Sequence, residues 1–327
     1  MNKSHGLDRS LVLGAVRTTE AAAIAASKMV GLGDEKGADQ AAVDAMRRML
    51  GDLEINGKVV IGEGERDEAP MLFIGEEVGK GGNKIDIALD PLEGTTITAN
   101  GGPGALAVLA MAEEGGFLHA PDVYMDKIAV GGNLPSGVVD LDLTPKQNIN
   151  NLASAKNVSP SDIIACVLDR PRHSKIIEEI RSTGARIKLI PDGDVAGVIA
   201  TADSDTGIDI YMGVGGAPEG VLAAAALTCI GGQMQGRLVF RNDDEKNRAA
   251  LTGIKDLEKK YTLNQLANGD VLFAATGVTD GSMLNGVKNN SKTISTHSLV
   301  MRAKTGTVRR IHAEHEINKA LSGIAKL

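Results

Sequence analysis

The most informative stretch of the sequence is Asp86-Ile-Ala-Leu-Asp-Pro-Leu-Glu-Gly-Thr-Thr96. Apolar residues here alternate with their neighbours at the period of two that predicts a β-strand. These residues are Ile85, Ile87 and Leu89. The strand is predicted to end at Asp90, because Pro91 cannot continue a central ladder of hydrogen bonds. The polar residues that follow are therefore placed at a strand end.

Two carboxylates follow this predicted strand at a close spacing. Glu93 comes three residues after Asp90, and Gly94 then frees the backbone to turn. Carboxylate oxygens are hard ligands that suit Mg²⁺ or Mn²⁺. The amides of Thr95 and Thr96 could open a helix that cradles a phosphate group. An acidic turn with a capping threonine explains the same residues equally well, because Asp and Thr are common at helix starts.

The length and composition of the chain narrow the classes of protein that it can be. A chain of 327 residues suggests about two domains. Apolar residues make up 43% and aromatic residues only 2%, so we expect a core of aliphatic side chains. The net charge is −7, and no basic run resembles a nucleic-acid-binding stripe. With so few aromatic rings there is no stacking platform for single strands, and we expect no nucleic-acid partner.

The cysteines and the apolar stretches bear on the compartment. Cys166 and Cys229 lie in apolar surroundings, where buried thiols are expected. Reduced thiols are typical of a reducing compartment. The longest apolar stretches, at 105–112 and 221–230, fall short of the roughly 20 residues that span a bilayer. No secretory signal is visible, so we expect a cytoplasmic protein without a membrane partner.

The pattern of predicted elements changes near residue 160. Before it, helices are predicted at 10–30, 40–51 and 148–155, a loop at 31–38, and strands at 59–61, 71–74, 85–89, 105–111 and 123–130. After it, strands at 163–168, 186–190 and 208–212 alternate with helices at 173–183, 195–202 and 218–230. Such alternation predicts βαβ units and a parallel sheet.

The predicted domains follow from that change of pattern. Residues 1–160 are expected to form an α+β metal-binding domain, and residues 161–327 an α/β substrate-binding domain. The charged stretch 242–260 is predicted to be a solvated excursion. The end of the chain is predicted to form strands and turns, followed by a polar helix from His312.

Polar residues follow three of the later strands, at the ends where α/β sheets bind ligands. Arg170 and Arg172 suit a phosphate group, which guanidinium grips in a bidentate manner, or they are surface charges at a helix start. Asp192 and Asp194 could accept hydrogen bonds from sugar hydroxyls, or they form a turn around Gly193.

Glu63 and Glu219 each have a structural and a functional interpretation. Glu63, in the acidic stretch 62–68, is either part of an exposed turn or a metal ligand, and Asp67 could then poise a nucleophilic water. Glu219 either complements the dipole of the helix that it opens or faces a ligand at the preceding strand end. Tyr124 by itself is an ordinary sheet residue, and His173 a polar residue at a helix end.

Several motifs of other enzyme classes are absent from the sequence. There is no P-loop and no G-x-G-x-x-G, so neither of these nucleotide-binding signatures applies. There is no C-x-x-C and no H-E-x-x-H, which argues against zinc chemistry. G-x-S-x-G is also absent, which argues against an esterase.

Seven motifs in chain order resemble a known family. Asp90-Pro-Leu-Glu-Gly-Thr95 is similar to the D-P-[IL]-D-G-[ST] signature of the lithium-sensitive, metal-dependent sugar and inositol phosphatases, with Glu93 in place of the usual Asp. The other six are Val60-Ile-Gly-Glu-Gly-Glu65, Asp67-Glu-Ala-Pro-Met71, Pro121-Asp-Val-Tyr-Met125, Arg170-Pro-Arg-His173, Pro191-Asp-Gly-Asp194 and Gly215-Gly-Ala-Pro-Glu-Gly220. Together they resemble the class II, GlpX-type fructose-1,6-bisphosphatases.

The resemblance implies a fold and a set of site residues. The implied fold is the carbohydrate phosphatase fold, an αβαβα sandwich of layered helices and sheets that combines α/β and α+β parts. The implied metal ligands are Asp39, Glu63, Asp90, Glu93 and Glu219. The implied substrate contacts are Glu93, Gly94, Thr95, Tyr124, Arg170, Pro171, Arg172, Asp192, Gly193, Asp194 and Gly216. Asp39 by itself resembles only a helix N-cap.

The implied activity is gluconeogenic hydrolysis of the 1-phosphate of fructose 1,6-bisphosphate, with Mn²⁺ or Mg²⁺ as cofactor. Thr95, with Asp67, would orient the attacking water. Sedoheptulose 1,7-bisphosphate or an inositol phosphate is an alternative substrate, and a non-catalytic sugar-phosphate sensor is an alternative of another class. We expect a sugar bisphosphate as partner and a homo-oligomer, either a dimer or a tetramer. One departure from the family pattern is Glu35, which stands where a basic residue is expected, with Lys36 displaced by one.

Overall fold

The computed structural model describes residues 7–64 and 71–317, which fall into two compact units. The first unit takes the residues up to Phe117 together with those from Gly269 onward, and the second takes Leu118–Asn268. This division differs from the predicted one at residue 160. The difference arises because the late strands of the chain return to the sheet of the first unit, which no local sequence pattern reveals.

Helices and strands occur in both units, and we number them along the whole chain. The helices are α1 (Leu11–Ser27), α2 (Glu35–Gly51), α3 (Thr95–Asn100), α4 (Pro145–Lys156), α5 (Ser174–Ser182), α6 (Asp194–Ile199), α7 (Ala217–Ile230), α8 (Asp243–Leu251) and α9 (Leu263–Leu266). The strands are β1 (Ile55–Ile61), β2 (Glu77–Val78), β3 (Asn83–Glu93), β4 (Leu106–Glu113), β5 (Tyr124–Gly131), β6 (Ile164–Leu168), β7 (Arg186–Ile190), β8 (Ile210–Gly216), β9 (Gly232–Val239), β10 (Lys260–Thr262), β11 (Leu272–Gly277), β12 (Lys288–Asn289), β13 (Thr293–Arg302) and β14 (Thr307–Glu316). The predicted α/β and α+β fold class is confirmed.

The first unit is built on a mixed sheet. Its strand order is β12-β13-β11-β4-β3-β1-β2. β14 lies outside this order and pairs with β13. β1 and β3 are parallel, whereas the other pairs are antiparallel. The alanine-rich helix α1 lies against β4, β11 and β13, because small side chains let a helix approach a sheet closely. The core is aliphatic, as the composition predicts.

The second unit has a mixed sheet of its own. Its strand order is β10-β9-β5-β8-β6-β7. β6 is parallel to β7 and to β8, as the predicted βαβ pattern requires. β5, β9 and β10 pair antiparallel, so the sheet is not wholly parallel. Its core is aliphatic too, and α7 contributes an almost continuous buried run.

Two predictions for the start of the chain are wrong. Helix α2 begins at Glu35, inside the predicted loop 31–38, because the Asp34 side chain accepts a hydrogen bond from the amide of Gly37 and caps it. Residues 71–74 form turns rather than a strand. There Leu72 has a positive φ of 55°, and its carbonyl accepts from the amide of Glu63.

Two predictions for the second half of the chain are also wrong. The charged stretch 242–260 contains α8, whose Glu245 and Ala249 are buried. His312 lies in β14 rather than in a helix, because residues 307–316 pair with the whole of β13. Residues 318–327, where the rest of the predicted helix falls, lie outside the described residues.

The prediction of buried thiols is confirmed. Cys166 and Cys229 are both buried and do not form a disulfide. Burial raises the pKa of the Cys166 thiol to about 12, so this group stays protonated at neutral pH. Within the described part of the chain, no helix combines the length and the apolar character that a membrane span requires.

Candidate active site

Glu63, just after β1, and Asp90, within β3, lie toward the same end of two neighbouring parallel strands. In the register of β1 and β3, Ile61 pairs with Ala88. Each of the two carboxylates comes two residues after that pair. The backbone therefore brings Glu63 and Asp90 to one edge, which is the location that ligands favour in α/β sheets.

A bulge carries β3 through Pro91, so the predicted strand end at Asp90 is wrong. Asp90 pairs with Val108 and Glu93 with Leu106, which sets three steps of β3 against two steps of β4. Proline is tolerated at such a bulge because the ladder is already interrupted there. An oxygen of Asp90 accepts a hydrogen bond from the amide of Leu92 at 3.0 Å. The extra residue separates a half-buried Asp90 from a buried Glu93.

Gly94 turns the chain directly after these carboxylates. Its φ of 91° is in the left-handed region, which glycine adopts without strain. Its carbonyl accepts from the amide of Thr98 at 2.9 Å, so α3 starts at once. This places Thr95 at the first position of a six-residue helix, half-buried, with Thr96 exposed beside it.

Asp39 lies inside α2, a helix that packs against both α3 and β3. It is not the N-cap that it resembles in sequence, because Asp34 takes that role. Burial raises the pKa of the Asp39 carboxyl group above its ordinary value, and no cation among the described residues offsets the rise. A carboxylate in this position favours a bound cation, since burying a charge without a partner is costly.

The carboxylates of the first unit do not form a closed metal cage. Across residues 7–64 and 71–317, no three His, Cys, Asp or Glu side chains are grouped so as to hold a metal ion. Asp67, the predicted water-activating residue, falls in 65–70 and lies outside the described residues. The donor chemistry nevertheless fits Mg²⁺ or Mn²⁺, because every predicted ligand is a hard carboxylate.

In the second unit, Lys127 joins several predicted site residues. Its side chain is fully buried, and the ammonium group forms an ion pair with Asp194 and donates to the carbonyl of Gly216 at 2.8 Å. The hydroxyl of Tyr211 donates to the same Asp194 oxygen at 3.4 Å. A buried ammonium group requires such partners, and together they fix the end of β8 against the start of α6.

Glu219 stands in the first turn of α7, above the end of β8. A Cβ atom at Gly216 would lie 1.9 Å from its Oε2 atom, so a larger residue at position 216 would displace this carboxylate. Burial raises the pKa of Glu219 to about 7, and the charge of Asp194 adds to the rise while Lys127 opposes it. Among the described residues its buried Oε2 atom has no hydrogen-bond partner, which suits a cation ligand.

Tyr124 lies between two arginine side chains. The guanidinium carbons of Arg172 and Arg241 are each 5.0 Å from the centre of its ring, a distance typical of cation–π contacts. Arg172 also donates from Nε and Nη2 to the carbonyl of Val214, at 3.0 and 2.8 Å. In the sheet, Tyr124 pairs with Gly216 on β8. Two cations thus flank one phenol ring at a strand end.

Arg241 is missing from the predicted site. Its amide and its Nε atom each donate to the buried Glu245, both at 2.6 Å. Burial by itself would raise the pKa of Glu245, but these bonds outweigh it and hold that pKa below its ordinary value. The sequence did offer a signal for Arg241, because it is a cation that comes just after the end of β9. Val239 of that strand pairs with Tyr124.

The remaining predicted contacts lie at the ends of β6 and β7. Arg170 and Pro171 come after β6 with Asp169 between, and a nitrogen of Arg170 is 3.8 Å from an oxygen of Asp192. Gly193, with a φ of 83°, precedes α6. The carboxylate of Asp194 is nearly buried and is engaged by Lys127, so its direct contact with a sugar stays a prediction.

His173 is fully buried and connects the ends of two strands. Its Nε2 atom accepts from the amide of Val214 at 2.8 Å, so its Nδ1 carries the proton and donates to the carbonyl of Leu168, also at 2.8 Å. It is therefore more than a polar residue at a helix end. By joining β6 to β8 it holds the neighbouring Arg172 at Val214.

Comparison with known proteins places the chain in a family. Residues 9–315 match the family described as bacterial fructose-1,6-bisphosphatase, glpX-encoded. The class 2 fructose-1,6-bisphosphatase of Haemophilus influenzae is 43% identical over 326 residues, which cover 95% of this chain and 98% of that protein.

Two further relatives carry a double name, D-fructose 1,6-bisphosphatase class 2/sedoheptulose 1,7-bisphosphatase. The one from Prochlorococcus marinus is 44% identical over 324 residues, covering 94% of this chain and 97% of that protein. The one from Synechococcus is 43% identical over 335 residues, covering 94% and 96%. The chain belongs to the GlpX-type fructose-1,6-bisphosphatase family. The resemblance seen in the sequence, and the prediction of a phosphatase enzyme, are confirmed.

Proposed function

We propose that the protein hydrolyses the 1-phosphate of fructose 1,6-bisphosphate, giving fructose 6-phosphate and phosphate. The observation that carries this proposal is the family match over residues 9–315, with 43–44% identity to relatives of that name over nearly their whole length. The motif Asp90–Thr95, at the bulge and turn that end β3, lies inside the matched region.

The cofactor in this proposal is a divalent cation, Mg²⁺ or Mn²⁺. The family is one of divalent-metal-dependent phosphatases. The proposed ligands are Asp39, Glu63, Asp90, Glu93 and Glu219. Support comes from the burial of Asp39 and Glu219, which raises the pKa of each carboxyl group. A cation held by these residues would neutralise charge on the phosphoryl oxygens and make a water molecule more acidic.

The chain's own residues would supply orientation. We assign Thr95, together with Asp67, the role of orienting the attacking water. The half-buried position of Thr95, fixed by the turn at Gly94, supports this role. Orientation of this kind contributes because it removes the entropy cost of bringing the reactants together.

The 6-phosphate and the sugar would be held in the second unit. We assign the phosphate to Arg170 and Arg172, and the furanose ring to Tyr124, Asp192 and Asp194. Arg172 uses two of its five N–H donors on Val214, so three remain for a ligand. Its contact with Tyr124 restrains the guanidinium plane before substrate arrives.

Phosphate release from a panel of substrates tests this function. The purified protein is supplied with Mn²⁺ or Mg²⁺, and fructose 1,6-bisphosphate is compared with fructose 6-phosphate and with inositol 1-phosphate. We expect the bisphosphate to give the highest kcat/KM, because only it engages both the reacting site and the arginines. No release from the bisphosphate with either cation would overturn the proposal.

Sedoheptulose 1,7-bisphosphate is a second candidate substrate. It is favoured by the double name of two relatives that align with 94% of this chain. The same panel separates the candidates by their kcat/KM values. Activity on both sugars would extend the proposal, and activity on the seven-carbon sugar alone would replace it.

We also propose a cytoplasmic, homo-oligomeric enzyme of gluconeogenesis. The two buried thiols, Cys166 and Cys229, are in keeping with a reducing compartment. Light scattering at several protein concentrations measures the oligomeric state, and a monomer at every concentration would contradict that part of the proposal.

A further inference from the structure

Among the described residues, no strand lies along the outer edge of β14, which is therefore a long strand edge. β14 runs for ten residues and, among the described strands, pairs with β13 alone. The other edge strands of the two sheets are much shorter, with two residues in β2, three in β10 and five in β7. Proteins keep exposed edges short or guarded, because an open edge is a template for pairing with another strand.

The register of β13 and β14 shows which backbone groups face this open edge. The amide of Ile317 donates to the carbonyl of Lys292 at 3.0 Å, in continuation of that ladder. Hydrogen-bonded and non-hydrogen-bonded pairs alternate in antiparallel sheets. The even-numbered residues of β14 therefore turn their amides and carbonyls away from β13, and His312 is the central one.

The charges along β14 are arranged so that the strand complements itself. Arg309 and Arg310 lie in its first half, whereas Glu314 and Glu316 lie in its second half, and all four are exposed. When two copies run antiparallel, the arginines of one lie beside the glutamates of the other. A two-fold axis perpendicular to the sheet keeps even-numbered residues opposite even-numbered residues, as the open edge requires.

We propose that β14 pairs with β14 of a second copy of this chain, antiparallel and centred on His312. Arg310 then lies opposite Glu314 of the second copy and diagonal to its Glu316. The two sheets join into one continuous sheet through the hydrogen bonds of the even-numbered residues. This inference names the surface for the homo-oligomer proposed above and is independent of the catalytic proposal.

A symmetric disulfide tests the pairing directly. In the proposed register the two copies of residue 312 form a hydrogen-bonded pair, whose Cα atoms are about 5.5 Å apart, within the range that a disulfide bridges. His312→Cys should cross-link into a covalent dimer under mild oxidation. The native Cys166 and Cys229 are buried and should not interfere.

Val308→Cys is the matched control on the same exposed side of β14. In the proposed register the two copies of residue 308 are separated by eight residues along the strand direction, or about 27 Å, and should not cross-link. No cross-link at position 312, or equal cross-linking at both positions, overturns the pairing. A wild-type protein that is monomeric by light scattering overturns the pairing and the homo-oligomer together, whereas an oligomer without a cross-link overturns the pairing alone.

A charge exchange tests the side-chain part of the inference. Arg310→Glu and Glu314→Arg should each raise the dissociation constant of the oligomer by about tenfold, because two like-charged pairs form across the axis. The double variant should return to within about threefold of wild type. A double variant that stays dissociated, or single variants that change nothing, contradict the proposed register.

Discussion

At the scale of single residues, Lys127 holds the end of β8 against the start of α6 in the second unit. It is fully buried, it contacts Asp194 and Gly216, and it opposes the rise in the pKa of Glu219. A buried ion pair adds little net stability over an apolar pair, but removing one partner leaves an uncompensated charge. The pair is therefore a device for positioning rather than a source of stability.

This predicts strong coupling between Lys127 and Asp194. Lys127→Met and Asp194→Asn should each lower the free energy of unfolding by about 3–5 kcal/mol, because each leaves one buried group without its partner. The double variant should lose much less than the sum of the two. Urea unfolding of the four proteins gives the coupling energy, and additive effects would show that the pair does not act as a unit.

His173 gives the unfolding free energy a predictable pH dependence. Burial lowers its pKa, and the charge of Arg172 acts in the same direction. The folded state therefore binds this proton less readily than the unfolded state. The stability that His173 contributes is complete above its unfolded pKa of about 6.5 and falls as the pH decreases below it, by at most about 1.4 kcal/mol per pH unit.

Comparison with His173→Gln measures this effect. The wild type should be more stable than the variant at pH 7.5, and the difference should shrink by pH 5.5. Urea unfolding at these pH values gives the difference. If it stays constant, the histidine does not lose stability on protonation, and the cause assigned to its lowered pKa is wrong.

The arginines on either side of Tyr124 should act on substrate binding. Arg172→Ala and Arg241→Ala should each raise KM for fructose 1,6-bisphosphate about tenfold or more while kcat changes little, because the distal phosphate is bound equally in the ground and transition states. Arg181→Ala, an exposed arginine at the end of α5, is the control and should leave both constants unchanged. Unchanged KM in Arg172→Ala would contradict the assignment of the distal phosphate to Arg172, and unchanged KM in Arg241→Ala would show that its contact with Tyr124 does not extend to substrate binding.

At the scale of elements, the bulge of β3 and the turn at Gly94 together set the positions of Asp90, Glu93 and Thr95. The bulge separates Asp90 from Glu93, and the left-handed turn then starts α3 immediately. Irregular backbone of this kind aims side chains that a regular strand would place on alternating faces.

Gly94→Ala should therefore impair both stability and activity. The new Cβ would lie 3.2 Å from Ile97 at a φ of 91°, so the turn would shift and carry Thr95 with it. Gly115→Ala is a matched control, since its φ of 82° imposes a similar backbone strain in open space. Both variants should lose about 1 kcal/mol of stability, but only Gly94→Ala should lose most of its phosphate release. Equal activity in the two would mean that the turn has no role in catalysis.

Regular elements with a clear period could be predicted from the sequence, and irregular ones could not. β7 and α7 lie where their hydrophobic patterns place them, because isoleucine and leucine suit the strand β7 and almost the whole of α7 is apolar and buried. Pro91 led to a wrong strand end at Asp90, because a proline is tolerated at a bulge. The bulge depends on the pairing with β4, which the local sequence does not show. The helix predicted from His312 was wrong because β14 has no buried residue, so its sequence lacks the alternation of apolar and polar residues that indicates a strand.

At the scale of the whole molecule, the last strands of the chain, β11 to β14, join the sheet that its first strands form. Arg302 of β13 and Asp270 form a buried ion pair, and the amide of Leu7 donates to the same carboxylate. Contacts between residues so far apart in sequence have no local signal, which is why the division between units was not predictable. Asp39 was likewise proposed only from the family resemblance, because a carboxylate within a helix gives no sign of a ligand.

We propose that this protein hydrolyses a sugar bisphosphate with a divalent cation held by carboxylates that are distant in sequence. Phosphate release from fructose 1,6-bisphosphate, measured before and after EDTA treatment and after return of Mn²⁺ or Mg²⁺, tests it most directly. We expect release to stop with EDTA and to recover with the cation, and Asp90→Asn to show little release in either condition. Undiminished turnover in excess EDTA, or an Asp90→Asn protein as active as the wild type, would contradict the claim.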